Sequence, residues 1–192
     1  MPLPSTLCVY CASSADIAQP YKDAAVELGR MAAERGIDIV YGGGRVGLMG
    51  LVADTALAAG GQVTGIIPGH IAAMEVAHQT LTELIVVKTM HERKKMMFDR
   101  SDAFIILPGG MGTLDEMLEI LTWKQLGLHD KPVILANIDG YWDRLLAVID
   151  HGVAEGFIRP KHARLLQEVR DIPAIFAALG SGRGVDAAGS FT

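Results

Sequence analysis

Six short, strongly apolar runs divide the chain and constrain its fold more than any other feature. Segments with helical patterning separate most of these runs. Strands that are apolar throughout and alternate with helices indicate a parallel sheet covered on both faces. We therefore predict a Rossmann-like, doubly wound α/β domain with a mainly parallel sheet. The predicted strands are residues 7–11, 37–41, 63–67, 84–87, 104–107 and 133–136.

Helices are predicted between the strands and after the last of them. The final stretch, which starts at Gly180, is rich in glycine, serine and alanine, a composition typical of a disordered end. We expect one domain over residues 1–179 and a disordered tail over residues 180–192. The predicted helices are residues 21–35, 48–59, 91–101, 113–125, 141–155 and 160–168.

Composition narrows the class of protein. Half of the 192 residues are hydrophobic, yet no apolar run is long enough to cross a bilayer, so we expect a soluble domain without membrane contact. The net charge of -5 disfavours nucleic acid as a partner. The N-terminus lacks the basic stretch and long apolar run of a secretory signal, which favours the cytoplasm.

The two cysteines, Cys8 and Cys11, have the C-x-x-C spacing of a redox site. They lie in the apolar run LCVYC, however, and not at the start of a helix, where a thiolate would be stabilised. Residues three apart on a strand point to opposite faces of the sheet. We therefore predict two reduced cysteines in the core.

Two glycine-rich loops follow predicted strands, at the edge where doubly wound domains bind ligands. The loop YGGGRVG, which contains Gly43 and Gly44, fits the pattern G-x-G-x-x-G. The next strand ends in PGH, without the acidic residue that a dinucleotide site requires. The second loop is LPGGMGT, and neither loop has the G-x-x-x-x-G-K-[ST] pattern of a nucleoside triphosphatase.

Glycines let backbone N–H groups approach an anion closely, and the following helix N-terminus adds to the attraction. Either loop alone could simply form a tight turn. Two such loops, expected at neighbouring strand ends, favour a phosphate site. The loop CASS, which contains Ser13, follows the first strand at the same edge.

A carboxylate follows the second glycine loop in the stretch LPGGMGTLDE. Thr113 and Glu116 are three apart at the start of a predicted helix, so they share a face near the anion site. One interpretation is a capping box, in which Thr113 caps the helix and Glu116 bonds back to the backbone. The other is a functional carboxylate beside a bound phosphate.

The segment MHERKKMMFDR lies after the fourth apolar run. A surface helix with a basic exposed face would explain it. Its position also places Arg93 at the carboxyl end of a strand, where a phosphate-binding guanidinium belongs. Arg93 and Glu116 facing one pocket would suit chemistry on a phosphorylated sugar.

These motifs resemble the Lonely Guy proteins, long labelled "possible lysine decarboxylases", whose signature is P-G-G-x-G-T-x-x-E preceded by M-H-x-R-K. Residues 108–116 fit the first motif without departure, and residues 90–94 fit the second. The similarity extends from the CASS loop to the EGF stretch near residue 157, leaving the end of the chain uncovered.

The resemblance implies a cytokinin riboside 5'-monophosphate phosphoribohydrolase, in which water cleaves the N-glycosidic bond and releases the base and ribose 5-phosphate. It implies a nucleoside 5'-monophosphate substrate, no cofactor and a homodimer with the site near the subunit interface. The catalytic pair would be Arg93 and Glu116. The candidate substrate-binding residues are Ser13, Gly43, Gly44, Glu75, Met90, Lys94, Gly109, Gly110, Met111, Gly112, Thr113 and Thr122.

The chemistry of glycoside cleavage agrees with this assignment, because a carboxylate stabilises an oxocarbenium-like ribose or orients the attacking water. Arg93 would either offset the phosphate charge or polarise the departing base. Two alternatives remain: a nucleotide or molybdenum-cofactor carrier without hydrolase activity, and the older decarboxylase label. The second requires pyridoxal phosphate on a lysine, and no lysine here occupies a loop that demands this role.

Overall fold

The computed structural model of the protein describes residues 2–72 and 77–181. Within these ranges the strands form one sheet in the order β4-β3-β2-β1-β5-β6-β7, and each neighbouring pair is parallel. This confirms the Rossmann-like α/β prediction. The strands are β1 (Thr6–Tyr10), β2 (Asp38–Tyr41), β3 (Val63–Pro68), β4 (Glu83–Val87), β5 (Ala103–Ile106), β6 (Val133–Ala136) and β7 (Gln167–Val169).

Helices cover both faces of the sheet. One apolar cluster lies between the sheet and the face formed by α1, α2 and α8, and a second lies on the other face with α4, α5 and α6. No described helix is long and apolar enough to cross a membrane. The helices are α1 (Gln19–Glu34), α2 (Gly47–Ala58), α3 (Gly69–Ala72), α4 (Met90–Asp99), α5 (Met111–Gln125), α6 (Asp143–Ala154), α7 (Pro160–Ala163) and α8 (Ile172–Gly180).

The two cysteines belong to different faces, as predicted. Cys8 lies in the cluster beneath α4 and α5, whereas Cys11 lies in the cluster beneath α1 and α2. Both thiols are free and buried. Burial raises the pKa of both above its ordinary value, so the thiols stay protonated at neutral pH.

The predicted helix over residues 160–168 is wrong beyond Ala163. The chain instead pairs Gln167–Val169 with β6 at the edge of the sheet. This strand has three residues, two of them polar, so it carries no apolar run that would predict it. The helix predicted over residues 141–155 begins two residues later, at Asp143.

The last described helix, α8, was not predicted from the apolar pattern. It begins after Asp171, whose carboxylate accepts a hydrogen bond from the Ala174 N–H at 2.8 Å, and it carries Pro173 in its first turn. An Asp followed closely by Pro is a helix start signal that could have revealed it. The helix includes Gly180, the first residue of the predicted tail. Residues 182–192 lie outside the described residues, so the predicted disorder stays a prediction.

Candidate active site

The order of the strands places three loops around one crevice. β1 lies between β2 and β5, so the chain leaves β1 in opposite directions to build the two halves of the sheet. The glycine loops after β2 and β5 were expected at neighbouring strand ends, but the CASS loop after β1 separates them. The Ala12 N–H donates to the Pro108 carbonyl at 3.1 Å, and the Ala12 carbonyl accepts from the Met49 N–H at 3.3 Å. These bonds hold the three loops together.

A cavity of about 210 Å³ opens between these loops. Ligands of doubly wound sheets bind at this kind of crevice, outside the carboxyl ends of strands at the point where strand order reverses. The lining residues are Val9, Cys11, Ala12, Ser13, Gly42, Met49, Arg93, Gly110, Met111, Gly112, Thr113 and Glu116.

The N-terminus of α5 forms one wall of the cavity. Gly110 is the N-cap of this 15-residue helix, and the first residues of the helix line the cavity. The first N–H groups of a helix have no intrahelical acceptor, and the helix dipole adds positive potential there. A Cβ on Gly109 would overlap the side chain of Thr113, so glycine at this position lets the loop pass close to the first turn of α5. This wall is therefore suited to an anion such as phosphate.

The capping-box interpretation of Thr113 is wrong. The N-cap of α5 is Gly110, which has no side-chain cap hydrogen bond, and Thr113 is the third residue of the helix. A capping box needs the threonine at the N-cap and the glutamate at the third helical position. Glu116 lies instead in the second turn, where its side chain is free to interact across the cavity.

Glu116 is a buried carboxylate with a cationic neighbour. The residue is 8% exposed, and its Oε1 lies 3.8 Å from Nη2 of Arg93. Burial raises the pKa of Glu116 to about 7, although the positive charge of Arg93 opposes this rise. The carboxyl group therefore changes its protonation state close to neutral pH, as a catalytic acid or base does.

Arg93 lies in the first turn of α4, which Thr89 caps by accepting a hydrogen bond from the Glu92 N–H at 3.1 Å. Its side chain crosses the ends of β3 and β2. Nε donates to the Ile66 carbonyl at 3.1 Å, and Nη2 donates to the Gly42 carbonyl at 3.2 Å. A Cβ on Gly42 would overlap this guanidinium, so the first glycine of YGGGRVG makes room for Arg93.

Lys94 forms a second link between α4 and α5. Its Nζ lies 3.2 Å from Asp115 and 3.1 Å from Glu119. Burial lowers the pKa of Lys94, but the hydrogen bonds to Glu119 and Asp115 outweigh this effect and leave the pKa above its ordinary value. Lys94 does not line the cavity, and its contacts hold α5 against α4 beside the Arg93 and Glu116 pair.

The structure brings seven of the predicted site residues to the cavity and places others behind it. Gly43 and Gly44 contact the chain beyond β3: the Gly43 carbonyl accepts from the His78 N–H at 3.1 Å, and Gly44 bridges Ala77. The predicted residues that line the cavity are Ser13, Arg93, Gly110, Met111, Gly112, Thr113 and Glu116. Those described outside its lining are Gly43, Gly44, Met90, Lys94, Gly109 and Thr122.

Three of these outer residues have partners that explain their positions. The Met90 sulfur accepts from Nη1 of Arg93 at 3.9 Å, and the Gly109 carbonyl accepts from the hydroxyl of Tyr141 at 2.8 Å. Thr122 is exposed, and its hydroxyl donates to the Leu118 carbonyl at 2.7 Å. Glu75 lies outside the described residues, so its role stays a prediction.

The sequence predicted the CASS loop at this edge of the sheet, but it did not identify the apolar residues that form one wall of the cavity. Val9, Cys11 and Ala12 come from the end of β1 and the loop after it, and Met49 comes from the first turn of α2. Apolar side chains at strand ends have no pattern that distinguishes a pocket wall from a core. Gly42 belongs to the YGGGRVG motif, but only the structure shows its role, which is to accept a hydrogen bond from Arg93.

Comparisons with known proteins agree on one family. The family model described as "Possible lysine decarboxylase" matches residues 49–179. A protein of Oryza sativa subsp. japonica named as a probable cytokinin riboside 5'-monophosphate phosphoribohydrolase is 50% identical over 169 residues, which cover 88% of this chain and 74% of the relative. A cytokinin riboside 5'-monophosphate phosphoribohydrolase of Arabidopsis thaliana is 52% identical over 154 residues, which cover 80% of this chain and 72% of that protein.

Among solved structures, the molybdenum cofactor carrier protein of Chlamydomonas reinhardtii superimposes with a TM-score of 0.70 at 23% identity, covering 92% of this chain and 96% of that one. At this identity the likeness shows a common fold. The family model and the two plant relatives show more than the fold. The model matches residues 49–179, and the relatives are 50% and 52% identical over 88% and 80% of this chain. The chain therefore belongs to the Lonely Guy family, whose model carries the older description of possible lysine decarboxylases.

Proposed function

We propose that the protein hydrolyses the N-glycosidic bond of a nucleoside 5'-monophosphate and releases an adenine-type base and ribose 5-phosphate. The observation that carries this proposal is the buried carboxylate of Glu116, 3.8 Å from Arg93, in a cavity that also contains the N-terminus of α5. The two plant relatives are named for an activity of the same kind.

The N-terminus of α5 would bind the 5'-phosphate. Gly110, Met111, Gly112 and Thr113 line the cavity where the unpaired N–H groups of the helix lie. These donors are backbone groups, so they need no reorganisation when the phosphate arrives. Binding energy at the phosphate would then hold the ribose in a reactive position.

Glu116 would act at the other end of the sugar. Between Met111 and Glu116 an α-helix rises about 7.5 Å, which separates the carboxylate from the anion site. When the bond between C1' and the base nitrogen breaks, positive charge develops on the ribose. The ionised carboxylate would stabilise this charge and accept a proton from the attacking water. Water thus supplies a hydroxyl group to C1' and, overall, a proton to the departing base.

Arg93 would keep this carboxylate ionised and in place. Two of its nitrogens already donate to the carbonyls of Ile66 and Gly42, which fixes the guanidinium at 3.8 Å from Glu116. Its charge opposes the rise in the Glu116 pKa that burial causes. We assign Arg93 this role in preference to contact with the departing base, because Nη2 of the fixed guanidinium lies 3.8 Å from Oε1 of Glu116.

The decarboxylase label does not fit the cavity. Schiff-base chemistry with pyridoxal phosphate needs a lysine at the reacting centre. The described residues that line the cavity include no lysine. Lys94 pairs with Asp115 and Glu119, and Lys95 pairs with Asp99 at 2.5 Å. We therefore assign no step to this cofactor.

The base that the protein prefers is a finer question. Its relatives are named for cytokinin riboside monophosphates, so a prenylated adenine is one candidate and plain adenosine monophosphate is the other. The cavity of about 210 Å³ is smaller than the roughly 300–1,000 Å³ of typical ligand sites. It would enclose the sugar and phosphate, while the base would extend towards its open side.

A second copy of the chain would complete that open side, and we propose a homodimer. Met111 lines the cavity and is nevertheless 84% exposed. Leu118, seven residues further along α5 and on the same face, is also exposed. An apolar strip that begins at the cavity is suited to an interface that borders the site.

The first prediction concerns catalysis by Glu116. Wild-type protein should release free base from adenosine monophosphate or isopentenyladenosine monophosphate, as measured by chromatography. Glu116→Gln should reduce kcat at least about 100-fold, because it removes the charge and the proton acceptor. The same variant should still bind the nucleotide, as measured by calorimetry.

The matched control for this substitution is Glu119→Gln. It makes the same change one turn further along α5, where Glu119 contacts Lys94 and not the cavity, so its kcat should stay within a few-fold of wild type. Intact nucleotide after long incubation with wild-type protein would instead indicate a carrier. Release of base at the wild-type rate by Glu116→Gln would contradict the assignment of the carboxylate.

The second prediction concerns pH. Because the ionised form of Glu116 is required and its pKa is about 7, kcat/KM should be constant above that pH and fall roughly tenfold for each pH unit below it. The phosphate of the substrate also loses a proton near pH 6. The titrations of Glu116 and of the substrate phosphate can be distinguished with Arg93→Gln. Loss of the positive charge raises the pKa of Glu116, so the midpoint of the kcat/KM profile should move to higher pH. A midpoint that does not move would belong to the substrate.

The third prediction concerns stability. Glu116 has an ordinary pKa of 4.5 and a pKa of about 7 in the fold, so its stabilising contribution is complete below pH 4.5 and is lost as pH rises through 7. Glutamine does not ionise. Relative to wild type, Glu116→Gln should therefore gain stability between pH 4.5 and 8, on the order of 3 kcal/mol by denaturant unfolding. If the free energies of unfolding of Glu116→Gln and wild type differed by the same amount at the two pH values, ionisation of Glu116 would not destabilise the fold, and the prediction would be wrong.

The fourth prediction concerns assembly. Light scattering should give wild-type protein twice the mass of one chain. Leu118→Glu places a charge on the exposed face of α5 and should shift the protein towards monomer. Val148→Glu is the control, because Val148 is also an exposed apolar residue, 67% exposed on α6 against 49% for Leu118 on α5. A monomeric wild type, or equal dissociation by both variants, would contradict an α5 interface.

A further inference from the structure

A tight turn after β6 brings Tyr141 to the loop that precedes α5. Residues Ile138–Gly140 form a 3₁₀ turn in which Asp139 has φ +51° and Gly140 has φ +70°. Two successive left-handed residues reverse the chain sharply, and the non-glycine one carries backbone strain. α6 begins only at Asp143, so Tyr141 lies outside the helix in which the sequence pattern placed it.

Hydrogen bonds of one buried asparagine side chain hold this turn. Asn137 is 1% exposed, and its Oδ1 accepts from the Trp142 N–H at 2.7 Å. Its Nδ2 donates to Asp143 at 2.7 Å and to Glu168 at 2.8 Å. A buried amide with three partners is costly to rearrange. The backbone that carries Tyr141 is therefore held by Asn137, independently of the hydrogen bond that the Tyr141 hydroxyl makes.

Tyr141 donates a hydrogen bond from its hydroxyl to the Gly109 carbonyl at 2.8 Å. Its ring packs edge-on against Tyr21, with centroids 5.5 Å apart, and against Trp142 at 4.7 Å. β6 is the neighbour of β5, so the turn after β6 lies beside the PGG loop.

This hydrogen bond sets the orientation of the whole peptide between Gly109 and Gly110, and not of the Gly109 carbonyl alone. A peptide unit is planar and trans, so its C=O and N–H point in opposite directions. When Tyr141 holds the Gly109 carbonyl, the Gly110 N–H of the same peptide is aimed away from Tyr141, and Gly110 lines the cavity. Glycine on both sides leaves this peptide easy to rotate, because neither residue has a Cβ to restrict it.

We propose that Tyr141 is a positioning residue that sets the Gly109–Gly110 peptide with its N–H towards the ligand phosphate. The inference rests on the proposed function insofar as the ligand is a nucleoside 5'-monophosphate. Without the hydroxyl, the peptide would sample the opposite orientation, in which a carbonyl oxygen repels the phosphate. The expected consequence is a loss of affinity that depends on the presence of the phosphate.

The test compares two ligands by calorimetry in the Glu116→Gln background, where hydrolysis does not interfere. Tyr141→Phe should weaken binding of adenosine monophosphate roughly three- to tenfold, the effect of one hydrogen bond, and leave binding of adenosine unchanged. Tyr21→Phe is the matched control: it removes a hydroxyl from the ring that packs on Tyr141 and should alter neither affinity. Equal loss for both ligands would indicate general loosening and overturn the proposal, as would no loss for either.

A second measurement needs no variant at Tyr141. In ¹⁵N-labelled wild-type protein, inorganic phosphate should shift the Gly110 amide resonance downfield, since this N–H would donate to the anion. A Gly110 resonance that does not respond while phosphate displaces adenosine monophosphate would overturn the proposal. Both tests measure binding and do not depend on catalysis. A protein that releases no base would refute the hydrolase function, and the two binding tests would still decide the role of Tyr141.

Discussion

The contact between the buried carboxylate of Glu116 and the guanidinium of Arg93 is the constraint around which the site is built. Burying a carboxylate is unfavourable unless a charge or hydrogen bonds compensate for the lost water. Arg93 compensates in part, and it is itself held by the carbonyls of Ile66 and Gly42. The partial compensation leaves the pKa of Glu116 near 7, so the group can exchange a proton at neutral pH. A fold selected for stability alone would gain from an uncharged residue at this position.

The helix that carries Glu116 also separates two opposing electrostatic demands. A phosphate favours the N-terminus of α5, whereas a carboxylate close to it would repel it. One and a half turns of helix place Glu116 beyond the first-turn donors and beside Arg93. Lys94, which bridges Asp115 and Glu119, holds this part of α5 against α4. In the proposed mechanism, one rigid element therefore presents an anion site at its N-terminus and a proton acceptor further along its length.

The fold by itself does not determine this chemistry. The molybdenum cofactor carrier protein of Chlamydomonas reinhardtii shares the architecture at 23% identity, and common architectures serve many functions. What supports a hydrolase in this chain is a particular set of side chains at the strand ends. The buried carboxylate of Glu116 has no use in a pure phosphate site, because a second negative charge close to the anion would weaken binding.

The sequence by itself determined the alternation of strands and helices, the glycine loops at the strand ends and the identity of Glu116 and Arg93 as unusual residues. Local periodicity and turn chemistry carry that information, because each depends on neighbours in the chain. It missed β7 and α8, whose short segments rely on the sheet edge and the core for support. It also left the capping box open, because the sequence pattern did not show that the helix begins three residues earlier, with Gly110 and not Thr113 as the N-cap.

Only the tertiary structure decided which loops meet. Strand order puts β1 between the two glycine loops, brings Arg93 to Gly42 across 51 residues of sequence and sets Tyr141 against Gly109. The pKa of Glu116 is likewise a property of the assembled site, because it depends on how much water the surrounding side chains exclude. Contacts between distant residues and the loss of solvent leave no periodic trace in a single sequence, and these are what turn a glycine loop and a carboxylate into a candidate active site.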